Sequence, residues 1–201
     1  MQLVIKNDAA AVRKKQKRFA AGAAVTALIL MVTGILMYPY ILNLLYPRKY
    51  EGAVRRYSAE YSVDENRVYA VIRTESGFDP GACSDVGARG LMQLMNDTFE
   101  WVDMRMEEEH RSPPAKFDDM YDPETNIKYG TYLLYLLIDE YGDIPTAVAA
   151  YHTGRGNVNS WLENKDYSED GQRLRTTPSA ATNHYIEKVM KAYEAYCRET
   201  R

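Results

Sequence analysis

The sequence predicts an all-α domain behind one apolar helix long enough to cross a membrane. Three features predict it: an uncharged run of 27 residues from Phe19 to Leu45, apolar residues recurring at helical spacing, and Asp-Pro and Gly signals at helix ends. No stretch shows the sustained two-residue alternation of a strand.

The bulk composition conceals this organisation. The chain has 201 residues, 46% hydrophobic, with a formal net charge of −3 and two cysteines. Taken whole, it is too acidic to bind nucleic acid by bulk charge and too poor in cysteine for a disulfide scaffold. The charge is segregated, however. Residues 1–46 carry six Lys or Arg against one acid, a net +5, which leaves 19 bases against 27 acids, a net −8, in residues 47–201.

The apolar run from Phe19 to Leu45 is about 40 Å long as a helix, against roughly 30 Å of bilayer hydrocarbon. A cleaved signal would have an apolar stretch of only about 7–15 residues and a small-residue cleavage site, whereas this run ends at Tyr46-Pro47-Arg48-Lys49. The organisation expected is therefore a cytoplasmic basic tail at 1–18, a single-pass transmembrane anchor at 19–46 and one domain at 47–201. The Arg13–Arg18 cluster places the N-terminus in the cytoplasm and the domain outside the membrane, although Arg48, Lys49, Arg55 and Arg56 reduce the asymmetry.

Within the domain, Ser62 and Glu65 form a capping-box pattern, followed by Val68, Val71 and Ile72 at helical spacing up to Gly77. Leu91, Met92, Leu94, Met95, Phe99 and Val102 suggest a second helix. Asp122 and Pro123 open a third, which runs through Ile127, Leu134, Leu137, Ile138 and Tyr141 to Gly142. Pro145 opens a short fourth helix ending near Gly154. A last helix from about Ala180 places Tyr185, Ile186, Val189, Met190 and Tyr193 on one stripe. The polar segments Glu107–Asp119 and Asn164–Pro178 read as loops.

Glu75 carries the most chemical information. Val68, Val71, Ile72 and Glu75 stand at i, i+3, i+4 and i+7, which puts a carboxylate in line with the apolar face of its helix. Desolvation there raises a carboxyl pKa and lets it hold a proton near neutral pH, as a general acid must. The alternative on spacing alone is a helix-end Glu that turns into solvent or pairs with a cation such as Arg89.

Further motifs extend this. Val71-Ile72-Arg73-Thr74-Glu75-Ser76-Gly77-Phe78-Asp79-Pro80 is followed by Ser84-Asp85-Val86-Gly87-Ala88-Arg89-Gly90-Leu91-Met92-Gln93-Leu94-Met95. Asp122-Pro123-Glu124-Thr125-Asn126-Ile127 with Gly130, Ala150-Tyr151-His152-Thr153-Gly154 with Gly156-Asn157-Val158, and Tyr185-Ile186-Glu187-Lys188-Val189 come next in order. Together these blocks, from about Glu60 to Ala192, resemble the Slt-type lytic transglycosylases of bacterial cell walls.

The resemblance implies a goose-lysozyme-like helical fold acting on peptidoglycan glycan strands at the β-1,4 bond between N-acetylmuramic acid and N-acetylglucosamine. It makes Glu75 the catalytic acid and base, with no cofactor and no metal. It places Ser84 near the substrate acetamido group and Gln93 on a sugar, while Met92 and Met95 either line the cleft or fill the core. It brings the Tyr151 hydroxyl toward the catalytic carboxylate and puts Tyr185 in the cleft. Two positions depart from the family pattern. His152-Thr153 stands where Asn-Ala is common, which adds a titratable imidazole at the cleft and with it a sensitivity to pH near 6 to 7. Ala181-Thr182 stands where Glu-Thr is frequent.

Several alternatives stay open on sequence alone. The chain could be a hydrolytic muramidase of the goose type, with Asp79 or Asp85 as a second carboxylate, although Asp79-Pro80 reads more simply as a turn. It could be a wall-binding module without activity. Cys83 and Cys197 could pair in an oxidising compartment. His110, His152 and His184 lack metal-binding spacing. A wall-assembly machinery is a further candidate partner that no residue identifies.

Overall fold

The computed structural model describes residues 2–109 and 115–199; of residues 2–14, 17 and 199 it describes the backbone alone. His110, Pro113 and Pro114 of the expected loop lie outside these residues. The chain divides into two compact units, one ending at Pro47 and the other beginning at Arg48.

The first unit is one helix, α1 (Gln2–Leu45). Its segment Arg18–Leu45, 28 residues, is long and apolar enough to cross a bilayer. Thr26 and Thr33 do not interrupt it, because their hydroxyls donate to the carbonyls of Gly22 and Ile29 at 3.1 and 2.8 Å and so are satisfied within the helix.

The second unit is all-α. Among the described residues it contains α2 (Glu51–Tyr61), α3 (Glu65–Glu75), α4 (Asn96–Glu108), a 3₁₀ turn (Phe117–Tyr121), α5 (Pro123–Tyr141), α6 (Ile144–Thr153), α7 (Arg155–Leu162) and α8 (Ala180–Glu199). α3 lies along α8, α5 lies against α2 and α6, and α6 also meets α7 and α8. The start of the unit is pinned by Arg48. Its guanidinium lies 4.9 and 5.3 Å from the ring centres of Tyr69 and Tyr196, and it donates to Asn66 Oδ1 at 2.7 Å.

Three helices follow the sequence signals closely. Asp122 caps α5 by accepting from Thr125 N at 2.9 Å, and Gly142 closes it in the left-handed conformation, φ 61°. Asp143 caps α6 in the same way through Thr146 N, and α8 begins at Ala180. The segment Asn164–Pro178 forms no helix.

Other expectations need correction. The Ser62–Glu65 capping box does not form: Ser62 terminates α2 with φ 56°, and Asp64 is the cap of α3, accepting from Asn66 N at 2.8 Å. The second helix does not start at Leu91. Gly90 (φ 75°) and Gln93 (φ 50°) have left-handed dihedrals, and Arg89 and Leu94 exchange both backbone hydrogen bonds, so the chain reverses before α4 begins at Asn96. The expected loop from Glu107 is trimmed at its ends, by α4 reaching Glu108 and by the 3₁₀ turn starting at Phe117. The helices α2 and α7 carried no anticipated signal. α2 is mostly polar and buries Val54 together with Tyr57 and Tyr61; Tyr61 lies 5.1 Å from Tyr132 of α5, ring centre to ring centre.

Candidate active site

Glu75 is the last residue of α3, where the buried Val68, Val71 and Ile72 bring it to the edge of the core. Its carboxylate accepts a hydrogen bond from the Tyr185 hydroxyl, 2.5 Å from Oε1, across 110 residues of sequence. Burial pushes the Glu75 pKa up to about 7, while the Tyr185 bond and the nearby Lys188 charge pull it partly back. The carboxyl is therefore protonated for much of the time at neutral pH. Burial and the Glu75 charge hold the pKa of Tyr185 well above the usual tyrosine range, so its hydroxyl stays a donor.

The expected alternative for Glu75, an ion pair with Arg89, does not form. Arg89 pairs with Asp118 at 2.6 Å, and its guanidinium lies 4.1 Å from the centre of the Phe117 ring.

The end of α3 is fixed to the following loop by Ser76. Its hydroxyl donates to Leu91 O at 2.8 Å and accepts from Phe78 N at 3.2 Å. Asn126 of α5, fully buried, holds the same loop from below: Oδ1 accepts from Met92 N at 2.7 Å, and Nδ2 donates to Arg89 O and Met120 O at 3.0 and 2.9 Å. Gly90 passes so close that a Cβ there would lie 2.0 Å from Met120 O and 2.4 Å from Asn126 Nδ2. Both Ser76 and Asn126 fall inside the sequence blocks, yet neither announces its role. Asn126 stands in the polar first turn of α5, and no local pattern marks it.

The structure sorts the remaining candidates. Of the two alternatives for the methionines, Met92 takes the core one, fully buried and packed on Gly130, whereas Met95 is 40% exposed and lines a groove. Gln93 uses its amide nitrogen on the carbonyls of Ala82 and Gly90, at 3.1 and 2.8 Å, to hold its own turn. Ser84 closes the Ser84–Ala88 turn, its Oγ accepting from Ala88 N at 3.0 Å. The two tyrosines meet Glu75 differently. Tyr151 feels the Glu75 charge but donates to Met92 O at 2.7 Å, while Tyr185 makes the direct bond to the carboxylate. His152 stacks on Tyr185, and burial lowers its pKa below the ordinary 6.5, which moves its titration to the acid side of the range expected from sequence.

Asp79 forms the turn that Asp-Pro suggests, its carboxylate accepting from Gly81 N at 2.9 Å. Cys83 and Cys197 are not joined by a disulfide; the Cys197 sulfur accepts from Asn66 Nδ2 at 3.5 Å.

Tyr151 and His152 of this cluster also line a groove of about 460 Å³, together with Met95, Thr98, Trp101 and Arg155. Arg155 stacks over Trp101 at 4.9 Å and pairs with Glu140 at 2.7 Å. An aromatic wall with a polar rim suits a sugar chain, whose rings present apolar faces and hydroxyl edges. A titratable carboxyl with a tyrosine donor on it has the chemistry of a general acid or base, and Tyr151 and His152 connect it to the groove.

Comparison with known proteins agrees. The transglycosylase SLT domain family matches residues 52–173. The soluble lytic murein transglycosylase of Escherichia coli (strain K12) is 32% identical over 155 residues, covering 76% of this chain and 23% of the relative. The membrane-bound lytic murein transglycosylase C of Actinobacillus succinogenes is 32% identical over 171 residues, covering 75% and 47%. Among solved structures, the 70-kDa soluble lytic transglycosylase in complex with bulgecin A superposes with a TM-score of 0.69 at 26% identity, over 79% of this chain and 26% of that one. This chain belongs to the transglycosylase SLT domain family. It spans between about a quarter and a half of the length of these relatives.

Proposed function

We propose that this protein is a membrane-anchored lytic transglycosylase that cleaves the β-1,4 bond between N-acetylmuramic acid and N-acetylglucosamine in peptidoglycan. The observation that carries this is Glu75 itself: a carboxyl of raised pKa, about 7, with a tyrosine donor 2.5 Å away, at the end of a helix fixed by Ser76. Relatives named lytic murein transglycosylase, one of them membrane-bound, support the substrate class.

The chemistry follows from one carboxyl used twice. Protonated Glu75 gives its proton to the glycosidic oxygen as the bond to the anomeric carbon breaks, and the substrate's 2-acetamido group stabilises the developing positive charge. The Glu75 carboxylate that remains is held by the Tyr185 hydroxyl. It then takes the proton of the muramic acid 6-hydroxyl, whose oxygen bonds to the anomeric carbon of the same sugar. Glu75 ends protonated, the product carries a 1,6-anhydro bridge, and no water is consumed. The ring closure is intramolecular, so effective molarity replaces a bound nucleophile. A hydrolase of two carboxylates would need a second one opposite the first.

The apolar helix α1 supports a location at the membrane. Arg18–Leu45 crosses the cytoplasmic membrane once, with the basic tail inside and the domain from Arg48 outside. Protease added to spheroplasts is expected to remove the domain and spare the tail; a domain protected until the membrane is lysed contradicts this orientation. For the activity, the full chain in detergent is expected to release soluble muropeptides from purified sacculi, and failure to release any overturns the assignment.

A further inference from the structure

The last turn of α6 carries two neighbouring rings that serve different elements. Tyr151 bonds to Met92 O at 2.7 Å and ties the turn to the Leu91–Leu94 loop. His152 lies against Tyr185 of α8, with ring centres 4.3 Å apart and planes within 13° of parallel. Tyr185 in turn donates to Glu75 at 2.5 Å. We propose that His152 is a positioning residue: its ring braces Tyr185 so that the tyrosine hydroxyl stays on the Glu75 carboxylate, a role that rests on Glu75 being the reacting acid.

The physical need for a brace comes from leverage. The hydroxyl of a tyrosine stands about 6.5 Å from its Cα, so a turn of about 10° at the root carries it about 1 Å, an error of the size that costs roughly 100-fold in rate. The Tyr185 ring is 7% exposed and thus packed on most sides, and His152 covers one of its faces. Stacking of two flat rings resists this swing directly. The brace needs the shape of the imidazole and not its charge, which agrees with burial favouring its neutral form. The other charged and titratable groups around the cluster are Lys188 of α8, Tyr151 of α6, and Asp97 and Arg155, which border the groove that His152 also lines.

Two variants of the full chain separate bracing from other roles: His152→Phe keeps a flat ring without polar atoms, and His152→Ala removes it. The first readout is the NMR signal of the Tyr185 hydroxyl proton, which a short bond to a carboxylate moves far downfield. It is expected to be present in the parent and in His152→Phe, and to be lost or moved upfield in His152→Ala. This readout does not depend on wall cleavage, so it tests the brace even if the assigned activity fails. The second readout is muropeptide release: His152→Ala is expected to lose roughly 10- to 100-fold in kcat with little change in KM, and His152→Phe to recover most of it. An unchanged hydroxyl signal in His152→Ala overturns the proposal. So does a His152→Phe variant as impaired as His152→Ala, or a loss confined to KM, either of which would mean that the imidazole's polar atoms contact the sugar.

Discussion

Glu75→Gln is expected to abolish wall cleavage, by at least roughly 1,000-fold, while leaving the fold intact. Positioned acid–base groups contribute about 100- to 10,000-fold, and here one group serves both steps. The parent should lose activity as pH rises through about 7, because the acid form of Glu75 then disappears. The same carboxyl makes a stability prediction of definite sign. Below its unfolded value of 4.5 the carboxyl is protonated whether folded or not, and its burial is tolerated. Between 4.5 and about 7 the unfolded chain ionises first, so the fold loses up to roughly 3 kcal/mol as pH rises across that window. Glu75→Gln removes this loss. In detergent it should melt up to roughly 6–12 °C above the parent at pH 8 and close to the parent at pH 4. A variant that cleaves sacculi at the parental rate removes Glu75 from the mechanism, and equal melting at pH 8 removes the buried, protonated carboxyl.

Gly90→Ala is expected to be the most damaging of the small substitutions. The new methyl would stand 2.0 Å from the backbone carbonyl of Met120 and 2.4 Å from Asn126 Nδ2, in a residue whose φ is 75°. A backbone oxygen cannot swing aside like the tip of a flexible side chain. The loop Leu91–Leu94 must therefore lift, breaking the Asn126 bonds to Met92 and Arg89 and the Ser76 bond to Leu91 that fix the end of α3. A loss of roughly 3–5 kcal/mol and of nearly all activity is expected. Gly87→Ala is the control, since Gly87 has φ 89° but no atom within 4 Å of its added Cβ. It should cost only the left-handed penalty, about 1–2 kcal/mol. Equal melting temperatures for the two variants would mean that crowding under the loop is not what makes Gly90 necessary.

What could be read from the sequence divides along local and distant interactions. Asp122-Pro123 and Pro145 mark α5 and α6 because a helix start and its signal are neighbours in the chain, and the Asp122 cap forms. Glu75 stood out because its i, i+3, i+4, i+7 pattern is also local. The start of α4 was misplaced because Leu91, Met92 and Leu94 are apolar for a different reason: they fill the floor of a loop whose shape is set by Asn126, more than 30 residues away. The difference between Tyr151 and Tyr185 has the same origin: both are tyrosines in matching blocks, and which hydroxyl bonds to Glu75 depends on helices distant in the chain, α3 packing on α8. Met92 and Met95 are alike in type, and the buried one is held by contacts distant in the chain, Gly130 admitting its side chain against α5 and Asn126 binding its N–H.

The central claim is that Glu75 cleaves the glycan without water, and digestion in heavy-oxygen water tests it most directly. Sacculi treated with the full chain in that solvent, and the released muropeptides weighed, should show muramic acid ends that carry no heavy oxygen and are lighter than hydrolysed ends by the mass of one water. Ends that carry one heavy-oxygen atom would contradict the claim, since water would then have attacked the anomeric carbon.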